Sequence, residues 1–266
     1  MFNGKSFTFD SIPSELYNLR ILNFRSSGLT STSAGSEVEL QKKWPLKKLK
    51  PYYFGRSLQT PLKIDMTIGA VAGTFIEVSD MILIKRWLLA RNGYKELIIQ
   101  QDDMLGYTFN CIAISGSDKY IGNQLVGLDL TFECDSPWAW TSEKTLTYTL
   151  PNSFISSFNF NFYNDSDSDD YYYPETTFTM NNIGTTFYLV NGSDGGRSMF
   201  FDELSSEEKI TLDNDRQIIT SSKGLRRLSN FNKHWFRLIP GMNSLTLTAG
   251  VTEFTMTYKN ARKIGG

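Results

Sequence analysis

The sequence predicts an all-β protein with one helix, and three observations carry that reading. Aromatic residues make up 14% of the chain, with 19 Phe and 13 Tyr, and such side chains suit the pleated, half-buried face of a strand. Apolar and polar residues alternate with a period of two through run after run. A single stretch of helical spacing interrupts them. The length of 266 residues accommodates two ordinary domains. With 40% hydrophobic and 21% charged residues, each half can bury a core.

The first unusual element is the segment 25–61. It opens on a small polar stretch, residues 26–36, and continues through Lys42, Lys43, Lys47, Lys48 and Lys50, broken by Pro45 and Pro51. A structureless loop of this length is rare inside a compact domain, so the segment reads as an extended arm or hairpin. Lys42, Lys43, Trp44, Lys47 and Lys48 are its candidate contact residues. A strand follows, with Leu62, Ile64, Met66 and Ile68 alternating with Lys63, Asp65 and Thr67. The helix is expected over 79–92. Ser79 is its candidate cap, Asp80 suits the positive N-terminal end, and Val78 can staple onto Leu83. Met81, Ile84 and Leu88 share a face with Trp87 beside them, and Asn92 and Gly93 supply the stop.

Leu128, Leu130, Phe132 and Cys134 form another one-faced strand. Pro137 then breaks the pattern, which places a domain boundary between residues 1–138 and 139–266. The second half has alternating runs at Leu146 to Leu150, Phe158 to Phe162 and Phe254 to Tyr258. Turn signals such as Asn191-Gly192, Asp213-Asn214 and Pro240-Gly241 separate its strands at sandwich spacing. Each such run covers one side of a two-sheet core.

Composition excludes several functions. The formal net charge is −1, so no global positive field draws nucleic acid. No run reaches the roughly 20 apolar residues of a membrane-spanning helix, and no signal-peptide pattern opens the chain. Cys111 and Cys134 are expected as buried thiols in neighbouring strands, consistent with folding in a reducing cytoplasm.

His234 is the single histidine, which excludes two-His zinc motifs and leaves any Ser-His-Asp triad dependent on it. Beside Trp235 and Phe236 it reads as a partly buried structural imidazole. Asp165, Asp167, Asp169 and Asp170 form an acidic cluster that fails the calcium-loop pattern at its sixth and twelfth positions, Asp170 and Thr176. The glycines between Gly192 and Gly196 lack the Lys and following helix of a phosphate loop. No metal, cofactor or catalytic residue is expected. Tyr171, Tyr172 and Tyr173 are candidate surface-recognition residues for a sugar or protein, and the competing reading puts some of them in the core.

Several landmarks, in order, carry a resemblance. They are Phe2-Asn3-Gly4 with Phe7-Thr8-Phe9, then Tyr17-Asn18-Leu19, the strand from Leu62 to Gly69, the helix, and a hairpin containing Asp102-Asp103. They continue with Phe132-Glu133-Cys134-Asp135-Ser136-Pro137-Trp138, Ile210 to Asp213, Ile218 to Ser221, and Trp235 to Asn243. Together they resemble the distal tail protein family of long-tailed phages.

The resemblance implies an N-terminal β-sandwich-like domain with a hairpin arm and a helix, and a C-terminal galectin-like, jelly-roll β-sandwich. It implies a homohexameric ring at the tail tip of the virion, assembled in the host cytoplasm, joining the tail tube to the baseplate and host-recognition apparatus without catalysis. The implied partners are copies of the chain itself, the major tail-tube protein, the tape-measure protein, the tail-associated hub protein and receptor-binding proteins. The alternative is a carbohydrate-binding tail protein that contacts a host glycan. An arm also has an independent physical use, because a ring subunit makes head-to-tail contacts and added strands supply backbone hydrogen bonds across them.

Overall fold

The computed structural model describes residues 6–23, 38–58, 61–70, 75–100, 104–151, 157–247 and 250–263. Its chain forms two compact units, one reaching to Thr141 and the other spanning Ser142–Arg262. The division falls three residues past the expected 138/139 boundary. The reason is the short strand Ala139–Thr141, which hydrogen-bonds into the first unit through Trp140 opposite Thr108.

The strands of the first unit are β1 (Ser6–Phe9), β2 (Ile12–Pro13), β3 (Leu19–Asn23), β4 (Val38–Lys43), β5 (Tyr52–Leu58), β6 (Lys63–Ala70), β7 (Lys95–Gln100), β8 (Tyr107–Ile121), β9 (Gln124–Cys134) and β10 (Ala139–Thr141). The main sheet runs β2-β1-β7-β8-β9-β6-β3, all antiparallel. Period-two alternation places Phe7, Phe9, Met66, Ile68, Leu97, Ile99, Leu128, Leu130 and Phe132 on one buried face. The opposite face carries polar cross-strand pairs: Thr131 Oγ1 donates to Asp65 over 2.7 Å and Thr67 Oγ1 to Asp129 over 2.6 Å.

The helix α1 (Val78–Leu89) covers the core with Met81, Ile84, Trp87 and Leu88, as its spacing predicts. Trp87 is its anchor. The ring stacks on Phe7 and Tyr17, and Nε1 donates to the Phe9 carbonyl over 2.9 Å. The ends differ from expectation. Glu77, extended at φ −69°, is the N-cap, and the Met81 amide closes the first turn on its carbonyl over 2.9 Å. Ser79 therefore lies inside the first turn and caps nothing, and Val78 and Leu83 are exposed rather than buried as a staple. The helix stops at Leu89 rather than 92, because Ala90 already leaves helical geometry (φ −99°, ψ 17°) and Gly93, at φ 78°, belongs to the turn into β7.

The second unit is a sandwich of β11 (Lys144–Thr149), β12 (Phe158–Asn164), β13 (Glu175–Met180), β14 (Phe187–Asn191), β15 (Arg197–Phe201), β16 (Lys209–Asp213), β17 (Ile218–Ser221), β18 (Gly241–Leu247) and β19 (Val251–Tyr258). One sheet orders β11-β19-β13-β16-β17 and the other β12-β18-β14-β15. Their inner faces meet through Phe160, Phe178, Phe187, Phe201, Leu245 and Phe254. Phe178 and Phe187 stack with centroids 3.6 Å apart and planes within 5°.

Candidate interaction surfaces

The arm begins as β4 and β5, which pair only with each other in a separate two-stranded sheet. A bulge between Gln41 and Lys42 shifts the register, with Gly55 opposite it at φ 127°. Residues 25–37 and 59–60, also within the expected arm, lie outside the described residues, as do the Phe2-Asn3-Gly4 opening and Asp102-Asp103. Every described side chain from 39 to 55 avoids the core. Lys42 and Lys43 sit on β4, and Trp44 is 60% exposed just beyond it. Lys47 turns the tip at φ 64°, and Lys48 donates from Nζ to the Tyr52 hydroxyl. Leu46 and Leu49 are 91% and 96% exposed. The surface combines lysines with bare aromatic and aliphatic side chains, and large exposed apolar patches of this kind mark protein–protein contacts.

The three tyrosines do not act together. Tyr172 faces inward against the sandwich core, exchanges backbone hydrogen bonds with Leu238, and accepts at its hydroxyl from the Lys259 amide over 2.8 Å. Burial pushes its phenol above the usual range. Tyr171 is half exposed, with the Arg237 guanidinium 3.6 Å from its ring centroid. Tyr173 is partly buried. The two readings of this trio thus divide by residue, and a flat three-ring platform is absent.

Arg237 leads to an arrangement that sequence reasoning missed. It grips Asp194 through Nε and Nη2 at 2.8 and 3.1 Å, a bidentate pair. Hydrogen bonding to Asp194 holds the guanidinium above its ordinary range. The pair borders an open cavity of about 440 Å3 at the β14–β15 turn, with Arg197, Ser198, Asn232 and His234. His234 is exposed there, contrary to the expected partly buried imidazole. The reason is local: Trp235 and Phe236 take the inward positions, and Lys233, at φ 63°, turns the chain just before His234. Arg197, Asn232 and His234 come from segments more than 30 residues apart, so no local motif announces them.

Asp165 and Asp167 of the acidic loop pair with Arg262, the latter at 3.3 Å. Among the described residues no group of His, Cys, Asp or Glu could hold a metal. Cys111 and Cys134 face each other across β8 and β9 as buried free thiols. Their mutual hydrogen bond, then burial, pushes the Cys111 thiol far up.

No curated protein sequence matches this chain. Among solved structures, it is similar to the Dit protein of phage SPP1, described as a paradigm of the hub adsorption apparatus in phages infecting Gram-positive bacteria. The two share a TM-score of 0.68 at 14% identity, covering 96% of this chain and 98% of that one. A chain of the phage P2 baseplate in its calcium-activated conformation matches at TM-score 0.52 and 10% identity, over 95% and 97% of the two chains. The strontium form of that baseplate matches equally. The family described as phage tail protein N-terminal domain matches residues 2–136, and the phage tail C-terminal domain family matches residues 138–258. With both halves matched along nearly their whole length, the chain belongs to this phage tail protein family, and its fold is that of the Dit-type hub proteins.

Proposed function

We propose that this chain is a structural subunit of the phage tail tip, whose copies close into a hexameric ring. In that reading the ring joins the tail tube to the baseplate and host-recognition apparatus and catalyses nothing. The N-terminal unit makes the ring, and the C-terminal sandwich docks other tail proteins. Its neighbours are the tube protein, the tape-measure protein, the tail-associated hub protein and receptor-binding proteins.

The supporting observation is the β4–β5 hairpin. A two-stranded hairpin without a packed face is marginal in water, yet this one holds Trp44, Leu46, Leu49, Tyr53 and Phe54 in solvent. Seating them on a neighbouring copy would bury that surface and neutralise Lys42, Lys43, Lys47 and Lys48 against acidic groups. Native mass spectrometry and electron microscopy of the full chain test this. The expected result is a closed six-membered ring that a Trp44→Ser, Leu46→Ser, Leu49→Ser variant fails to form while keeping its melting temperature. A strict monomer from about 1 to 100 μM, a range that spans ordinary micromolar affinities, would count against the ring.

A further inference from the structure

We infer that the cavity at the β14–β15 turn binds the anionic group, phosphate or carboxylate, of a saccharide. The first argument is charge. Asp194 is nine-tenths buried and is engaged by both donors of Arg237, so that pair is neutral within itself. Arg197 has no carboxylate at ion-pair distance among the described residues. Its Nε donates to the Trp235 carbonyl over 3.3 Å, which anchors the guanidinium of a residue that lines the cavity. A partly buried, anchored guanidinium without a counter-ion suits an incoming oxyanion, which it can meet with two parallel donors.

The second argument is rigidity. Asn232 donates to the Ser198 carbonyl over 2.8 Å and accepts from the Phe200 and His234 amides at 3.2 and 3.1 Å. These bonds tie the loop carrying His234 to β15, the strand carrying Arg197. Beneath it, buried Asn191 bridges the Asn243 side chain at 2.8 Å and the Arg237 carbonyl at 3.2 Å. Donors held in place before binding lose little entropy on binding.

The third argument is the lining. The cavity has glycine, hydroxyl, amide, imidazole and charged groups and no large apolar side chain. A protein partner anchors through aromatic or aliphatic side chains in fitted pockets, and nothing here receives one. The site is an open, polar depression of about 440 Å3, and a ligand of hydroxyls with one negative charge matches the donors and acceptors present.

The test uses the full chain. His234 is its one histidine, so its ring resonances report the cavity directly. Titration with glucose 6-phosphate and with glucuronate should move them saturably, while glucose should not. Arg197→Gln should weaken binding about tenfold, the equivalent of one charge-assisted hydrogen bond. Arg197→Lys should retain part of it, and exposed Arg216→Gln should change nothing. Unchanged melting temperatures would show that the variants are folded. Equal binding by Arg197→Gln, or no saturable shift with either acid sugar, overturns the assignment. Inorganic phosphate binding as tightly as glucose 6-phosphate overturns its saccharide part.

Discussion

The β4–β5 hairpin and the C-terminal sandwich use the same antiparallel ladder and are held by opposite means. In the sandwich each strand buries one face, and the polar groups that burial captures are clamped. Glu208 is fully buried and accepts from Arg227 Nε at 2.9 Å, Ser221 Oγ at 2.6 Å and the Ser205 amide at 2.9 Å, with Arg227 Nη2 at 2.5 Å. Asn243 accepts from the Ile239 amide and donates to the Ile239 and Gly241 carbonyls. Among the described side chains the hairpin has no such clamp and none in the core. The sandwich is held by its own core, whereas the described part of the hairpin is held by its own ladder, and in the proposed ring a neighbouring copy covers it.

The sharpest way to break the contrast is at the clamp. Glu208→Ala leaves Arg227, 8% exposed, as an unpaired buried charge. The expected cost is about 3–5 kcal/mol, read as a lower denaturation midpoint for the sandwich. A loss below about 1 kcal/mol, an ordinary single-mutant effect, would show that the pair does not hold the loop it spans. Acid should act on the same clamp. Burial pushes the Glu208 carboxyl up, but the bonds from Arg227, Ser221 and the Ser205 amide outweigh it and hold it at about 2. A carboxyl depressed on folding adds stability above its unfolded value of about 4.3 and loses it as pH falls through the folded value. The sandwich should therefore weaken between about pH 4.5 and 2, and Glu208→Gln, already destabilised, should weaken less over that window. Equal slopes would refute this.

Asn243 offers a smaller break. Replacing it by Ala leaves the Ile239 amide without its side-chain acceptor and takes one partner each from the Asn191 side chain and the Ile239 and Gly241 carbonyls. Each unsatisfied group costs about 1–3 kcal/mol before water or relaxation compensates, so a net loss of about 1–3 kcal/mol is expected. A chemical-denaturation midpoint unchanged from the parent would mean that the loop 239–243 refolds around the change.

Period-two strands were legible in sequence because burial on one face writes itself into every second residue, as from Leu128 to Cys134. The facing Cys111 and Cys134 were legible for the same reason, as was the inward stripe of α1. The helix ends were not. Ser79 fits a cap by composition, but the cap is set by where the backbone turns, two residues earlier at Glu77. The clamps and the cavity were invisible because their members are distant in sequence. Glu208 and Arg227 are 19 residues apart and Arg197 and Asn232 are 35 apart, and only the sandwich topology brings them together. The exposure of His234 is not legible because its apolar neighbours suggest burial, and alternation at a loop is not dictated by a ladder.

The smallest effect on stability is expected where the exposed surface is largest. Leu46 and Leu49 touch solvent over nearly their whole surface, so replacing each with Ser removes little that the isolated chain buries. Each should shift stability by less than about 0.5 kcal/mol, as surface substitutions do, and could even raise solubility by shrinking an apolar patch. The same is expected for Lys42→Gln and Lys43→Gln, since neither lysine has an ion-pair partner among the described residues. Melting curves at low protein concentration check this. A drop of 2 kcal/mol or more, the size of a buried-leucine truncation, would mean that the hairpin is packed against its own subunit, and the contrast between arm and sandwich would collapse. A null effect on stability joined to a loss of assembly is the signature of side chains whose partner lies on another chain.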